Sequence, residues 1–262
     1  GGKKRIIAGR TLNTSQYAIS TYSGGNNRLT LVVSENIGWF FVNGRYVATL
    51  NLVELTEAIN RDHVSVQVGT GFNGSDEIKG AHTSYKKFVV LHLSPRNDSR
   101  DVTVIQKTGY MMVKSTGASV NSLITVVEGD ISITMPRDSS WDYGYMLEYR
   151  DSSGYDALLV QHQESSTDMW SHERSLSAQG QSYTVDSGAL RGLKIKKGQR
   201  NHLAMVFIDG RGIISLNSQY VATIDQGSST ANGPVSVVTG FFLGDNPGGS
   251  IISFKRVYVM KP

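Results

Sequence analysis

The sequence predicts an all-β protein, an antiparallel β-sandwich in duplicate whose first copy is incomplete. Three observations lead there. Apolar residues come in short alternating runs, as where Leu29, Leu31 and Val33 interleave with Thr30, Val32 and Ser34; that is the period of a strand with two unlike faces. The 262 residues include 28 glycines and 12 tyrosines among many Ser, Thr and Val, a composition of strands and tight turns. The segment Asn27–Asn51 also returns as Asn201–Asp225 at a constant offset of 174 (201 − 27), and self-similarity on this scale implies two copies of one domain type.

Each element follows from its residues. Leu29/Leu203, Val32/Val206, Gly38/Gly212 and Asn43/Asn217 coincide, and Tyr46-Val47-Ala48-Thr49 recurs as Tyr220-Val221-Ala222-Thr223. Ser34-Glu35-Asn36 turns the first strand and Trp39-Phe40-Phe41-Val42 returns it. Asn43-Gly44 is a tight hairpin dipeptide leading into Arg45-Tyr46-Val47-Ala48, because both central positions of such a turn need positive φ. Leu52–Ile59 reads as the one short helix, with Asn51 as its N-cap. Val64-Ser65-Val66, Gly71-Phe72 and Tyr85-Lys86-Lys87 answer Val235-Ser236-Val237, Gly240-Phe241 and Phe254-Lys255-Arg256.

Ser94-Pro95-Arg96-Asn97-Asp98-Ser99 is polar, contains proline and lacks periodicity, which marks a linker. The boundaries are therefore 1–98 for a partial copy and 99–262 for a complete one. The second copy adds strands the first lacks, at Val102–Val127, Asp130–Met135, Tyr143–Arg150, Ala157–Gln163 and Met169–Arg174. Glu128-Gly129-Asp130 reads as a turn, with Asp130 entering the next strand. A half-sandwich exposes a sheet face and strand edges. The chain thus reads as a fragment of a longer protein, or as one whose first copy is completed by strands from a partner or from the second copy, with self-association through that incomplete copy as one outcome.

Composition excludes several functions. Without cysteine there is no disulfide, thiolate metal site or cysteine nucleophile. The net charge of +4 is spread over scattered Lys and Arg apart from Lys3-Lys4-Arg5 and Lys194, Lys196 and Lys197, groups that read as solvated strand ends and not as a nucleic-acid surface. No run approaches the ~20 apolar residues of a spanning helix, so no direct membrane insertion is expected, and no signal peptide is visible. Neither a P-loop, a dinucleotide fingerprint nor a G-x-S-x-G elbow occurs.

In the second copy, Asp142-Tyr143-Gly144-Tyr145-Met146-Leu147-Glu148-Tyr149-Arg150 precedes Ser153-Gly154-Tyr155-Asp156-Ala157-Leu158-Leu159-Val160. Asn201-His202-Leu203, Leu216-Asn217-Ser218-Gln219-Tyr220-Val221-Ala222 and Ile252-Ser253-Phe254-Lys255-Arg256-Val257-Tyr258-Val259 follow. This ordered series resembles the laminin-G-like branch of the concanavalin A-like lectin/glucanase superfamily, over about 160 residues of the second copy and the latter half of a module in the first. The resemblance implies a jelly-roll sandwich with one concave sheet, carried in tandem by bacterial secreted and surface proteins, hence an extracellular or cell-surface location. It departs at Ser218, where a turn glycine is usual, and at Ser253 and Ser84, where an aspartate is.

The resemblance implies three chemistries. Glucanases on this fold carry Glu-x-Asp-x-x-Glu on one strand, but the nearest match here, Glu128-Gly129-Asp130-Ile131-Ser132-Ile133, ends in isoleucine, so the paired carboxylates of glycoside hydrolysis are incomplete. Ser140-Trp141-Asp142-Tyr143-Gly144 is similar to an Asp-box turn, and reads as a hairpin lip. Calcium bound by rim loops would fall to Asp245 and Asn246, and to Asp76 in the first copy; oxygen ligands suit that hard cation. His162 and His172, with Glu164 or Glu173, form at most a weak metal pairing.

Glycan recognition is the leading expectation, since aromatic faces and planar hydrogen-bonding side chains are concentrated in the second copy. The candidate residues are Trp141, Glu148, Arg150, Gln161, Gln163, Trp170, His172 and Arg174. Within each strand, alternation pairs Glu148 with Arg150, Gln161 with Gln163, and His172 with Arg174. The expected function is a non-catalytic recognition or adhesion module for a glycan or protein. The alternatives are an assembly module pairing through open sheet edges and a glycoside-hydrolase-like enzyme.

Overall fold

The computed structural model describes residues 12–22, 25–34, 36–53, 84, 94–95, 100–119, 124–134, 140–148, 154–164, 166–176, 182–208, 211–225, 233–242 and 251–261. The regular elements among them are all strands. In chain order they are β1 (Leu29–Ser34), β2 (Ile37–Val42), β3 (Arg45–Asn51), β4 (Ser94–Pro95), β5 (Arg100–Ile105), β6 (Met112–Ser119), β7 (Ile124–Thr134) and β8 (Trp141–Glu148). There follow β9 (Tyr155–His162), β10 (Met169–Ser175), β11 (Tyr183–Ala189), β12 (Arg200–Ile208), β13 (Arg211–Leu216), β14 (Gln219–Asp225), β15 (Pro234–Thr239) and β16 (Ile251–Lys261).

Two antiparallel sheets form the sandwich. One has six strands in the order β11-β10-β9-β8-β15-β6; the other has seven, in the order β14-β13-β12-β7-β16-β4 with β5 also on β16. Their facing sides share one core. Tyr143, Tyr145 and Leu147 of β8 and Leu158 and Val160 of β9 meet Leu203 and Met205 of β12, Ile131 of β7 and Phe254 of β16. Tyr143 sits edge-on to Phe254 at 6.4 Å. Each such side chain removed from water contributes roughly 1.5–3 kcal/mol before conformational entropy is subtracted. The all-β antiparallel sandwich is thus what the alternating patterns predict.

Two local expectations change. Glu128-Gly129-Asp130 is no turn, for β7 runs unbroken through it. Glycine eases the packing there, since a Cβ at 129 would lie 3.0 Å from the Tyr145 hydroxyl and press on it. The supposed linker begins as a strand, with Ser94 and Pro95 paired to Lys261 and Met260; β4 is an edge strand, where proline's missing N–H is tolerated. Of the predicted helix only Leu52 and Val53 are described, and there the Asn51 side-chain oxygen accepts the Val53 N–H at 3.1 Å, the bond of an N-cap.

A third sheet, β1-β2-β3, lies on the outward side of the seven-stranded sheet. Val32, Trp39 and Phe41 pack there on Val126, Ala204, Val206, Ile208 and Ile213. Tyr46 stacks on Tyr220 at 4.2 Å with 5° between the rings.

Residues 174 apart make the same bonds. Asn43 Nδ2 donates to the carbonyl of Ala18 and to Asn27 Oδ1, and Asn217 Nδ2 to the carbonyl of Gly192 and to Asn201 Oδ1. The Asn43 side-chain oxygen accepts the Arg28 N–H at 2.7 Å, and that of Asn217 the His202 N–H at 2.9 Å. Both hairpins turn at paired positive-φ residues, Asn43 (50°) with Gly44 (74°) and Asn217 (50°) with Ser218 (69°). Both carry a bulge, between Phe40 and Phe41 and between Ile214 and Ser215.

Candidate functional site

The six-stranded sheet has one side in the shared core and one turned away from the seven-stranded sheet, itself largely buried along its middle strands, and strand parity decides which residues go where. Trp141, Tyr143, Tyr145 and Leu147 point inward with Leu158, Val160 and Trp170. Trp141 (4% exposed) and Trp170 (6%) are therefore core residues, not the walls of a groove. Trp170 fits where it does because Gly188 on β11 leaves room, as a Cβ there would lie 2.9 Å from the Trp170 Nε1.

His172 and Arg174 share the parity of Trp170 and are turned inward too, opposite Leu158 and Asp156. Asp156 Oδ1 lies 2.8 Å from His172 Nε2 and accepts the Arg174 Nε–H at 2.8 Å. This buried network closes one end of the core. Gln163 lies past the end of β9 and accepts the Ser166 hydroxyl. Arg150, Asp76, Asp245 and Asn246 lie outside the described residues. Among the described residues no group of three His, Asp or Glu is arranged to hold a metal. His162 contacts Asp168 at 2.6 Å, away from His172.

Of the expected residues, Glu148 and Gln161 share the side turned away from the core but stand at opposite ends of the β8–β9 pair, Glu148 opposite Tyr155 and Gln161 opposite Asp142. Gln161 faces Met169 across β9 and β10, and Leu159 and Ala157 face Ser171 and Glu173. Met146, Ala157, Leu159 and Val238 form a small apolar patch there, flanked by Tyr155, Phe241 and Phe242. The aromatic segment is held down by Asp142, whose Oδ1 and Oδ2 accept the Phe241 and Phe242 N–H groups, both at 3.1 Å. Asp142 is thus a strand residue that anchors a crossing segment.

Beside that patch lies a polar floor of Gln161 (8% exposed), Ser171 (7%) and Glu173 (3%), with exposed Thr184 and Ser187 at its rim. The Thr184 hydroxyl reaches both Glu173 carboxylate oxygens, at 3.0 and 3.1 Å. Ser171 Oγ is buried with no hydrogen-bond partner. Ser236 donates to Glu148 Oε1 at 3.3 Å farther along the sheet. An aromatic rim next to a floor of hydrogen-bonding groups can seat a polar ligand with one apolar face.

Ser171 was not singled out, and Glu173 only beside His172 as a weak metal pairing, because Trp170-Ser171-His172-Glu173-Arg174 is polar on both parities. The available signal was Trp170: a tryptophan flanked by polar residues on a strand turns inward, and its parity takes His172 and Arg174 with it.

A second polar cluster occupies the junction with the three-stranded sheet. Glu128 and Asp130 point outward from β7. His202 Nδ1 lies 3.1 Å from Asp130 Oδ1 and its Nε2 3.6 Å from Glu128 Oε2. Ser34 donates to Glu128 Oε1 at 2.7 Å. Burial lowers the His202 pKa, but the bonds and charges of Glu128 and Asp130 outweigh it and hold the pKa above the usual histidine value. The glucanase-like segment thus has its carboxylates engaged by His202 and Ser34.

No protein-family model matches the chain, and neither does any curated protein. Solved structures do. The carbohydrate-binding module CBM66 from Bacillus subtilis is 13% identical with a TM-score of 0.42, over 65% of this chain and 91% of that one. Sheep galectin-11 in complex with glycerol is 8% identical with a TM-score of 0.40, over 59% and 98%. The endo-beta-1,3-glucanase from Pyrococcus furiosus is 10% identical with a TM-score of 0.41, over 58% and 65%. The structures similar to this chain thus include a carbohydrate-binding module, a galectin and a glucanase.

Proposed function

We propose that this chain is a non-catalytic recognition module of the extracellular or cell-surface kind, binding a hydroxyl-rich glycan on the outward side of its six-stranded sheet. The observation that carries the reading is the buried, unpartnered Ser171 Oγ beside Glu173. A buried hydroxyl without a partner costs about 1–3 kcal/mol. Native proteins seldom retain that cost, and a bound ligand hydroxyl would offset it. Tyr155, Phe241 and Phe242 offer the apolar flank that a sugar ring's C–H face requires.

Ser171→Ala separates binding from folding. Stability should stay level or rise by about 1 kcal/mol, because an unsatisfied group is removed, while glycan affinity falls about 3- to 10-fold. Urea denaturation and calorimetric titration read the two quantities. Unchanged affinity for a glycan that the parent chain binds would refute the placement of the site.

A second reading, assembly, is supported by a different observation. Leu29, Leu31 and Val33 are 46–53% exposed, whereas their counterparts 174 residues on, Leu203, Met205 and Phe207, are at most 4% exposed. In this reading the β1-β2-β3 sheet belongs to a partial copy of the same module, and its bare side takes a partner.

A further inference from the structure

We infer that the ligand of the outward site carries a protonated amine, and that Glu173 is the group that selects it; this rests on the recognition reading above. Glu173 is 3% exposed, and its two carboxylate oxygens share a single described donor, the neutral Thr184 hydroxyl. No cation pairs with it among the described residues. The nearest guanidinium in sequence, Arg174, has the opposite parity and is committed to Asp156.

A buried carboxylate is stabilised by an opposite charge and by several N–H or O–H donors. An ammonium offers both, with three donors on one compact charge. Ser171 stands two residues away on the same strand face, with its buried Oγ still to be satisfied, and Gln161 lies on that face of the adjacent strand. Ser171 and Gln161 can take neighbouring hydroxyls while Glu173 takes the amine. The half-buried Glu148 adds negative charge on the same side. The site therefore favours amino sugars, accepts neutral ones less well and rejects uronates, whose carboxylates would face Glu173 and Glu148.

The test is calorimetric titration of the full chain with four oligosaccharide probes: glucosamine oligomers, their N-acetylated counterparts, neutral glucose oligomers and uronic acid oligomers. Working at about pH 6 keeps the amine charged, below the range of ordinary amino groups. The amine probe should bind about 10-fold or more tightly than the acetylated one, as expected for a charge-assisted bond replaced by a neutral one. That margin should shrink as salt is raised, and Glu173→Gln should erase it while leaving neutral binding in place. The salt and acetylation comparisons use the unaltered chain, so they stand even where the variant folds poorly. Equal affinity for amine and acetylated probes overturns this inference and leaves the recognition reading intact. Failure of all four probes to bind overturns both.

Discussion

Asp156 shows how a single residue can read as surface in the sequence and be core in the structure. It sits in a polar-looking stretch, yet it is 1% exposed and satisfies two partners, His172 and Arg174. Replacing it by alanine leaves the Arg174 charge without its carboxylate in a largely buried place, and removing one partner of such a pair costs about 3–5 kcal/mol. Chemical denaturation of Asp156→Ala should show a loss of that size, and a loss under about 1 kcal/mol would show that the network does not close the core. Ser218 makes the complementary point. The sequence flags it as a departure from the turn glycine, and the structure holds it at φ 69°, where a side chain is strained. The backbone geometry of the turn is retained although the residue that eases it is not.

At the scale of elements, β7, β12 and β1 meet at a titratable junction. His202 on β12 faces Glu128 and Asp130 on β7, and Ser34 of β1 donates to Glu128. Lys255 of β16 stands opposite Asp130 in the register and pairs with Asp101 at 2.7 Å. A histidine pKa raised on folding contributes stability that is fully present below its unfolded value of about 6.5. That contribution is lost as pH rises through the higher folded value. Stability should therefore fall as pH rises above about 6.5, and His202→Gln should flatten the decline. Denaturation midpoints across that range check it, and a slope unaltered in the variant would remove His202 from the account. Hairpins were readable at this scale, because Asn43-Gly44 demands a tight turn on local grounds alone. The continuity of β7 was not, since Gly129 serves packing against Tyr145 and nothing in the local sequence distinguishes that from a turn.

For the whole molecule, the bare row of β1 has a measurable consequence. If it takes a partner of the same kind, the 28.6 kDa chain will sediment above its monomer mass at high concentration, and Leu31→Lys will return it to the monomer. A monomer at every concentration would count against self-association. The candidate site shows the limits of one-dimensional reading most clearly. Glu148 and Gln161 lie on the faces that their alternation within each strand fixes. Ser171 was passed over, Glu173 entered only as a metal partner of His172, and Trp141, Trp170, His172 and Arg174 were chosen for the glycan face, because parity relates residues within one strand but says nothing of which side of the sheet is dry. The alternation of apolar residues and the chemistry of the turns by themselves determined an antiparallel all-β sandwich, since those are local demands that any packing must meet. Only the tertiary structure decided which side of the six-stranded sheet faces the seven-stranded one. That choice is made by the fit of Tyr143, Tyr145 and Trp170 against the opposing core, a contact between residues far apart in the chain.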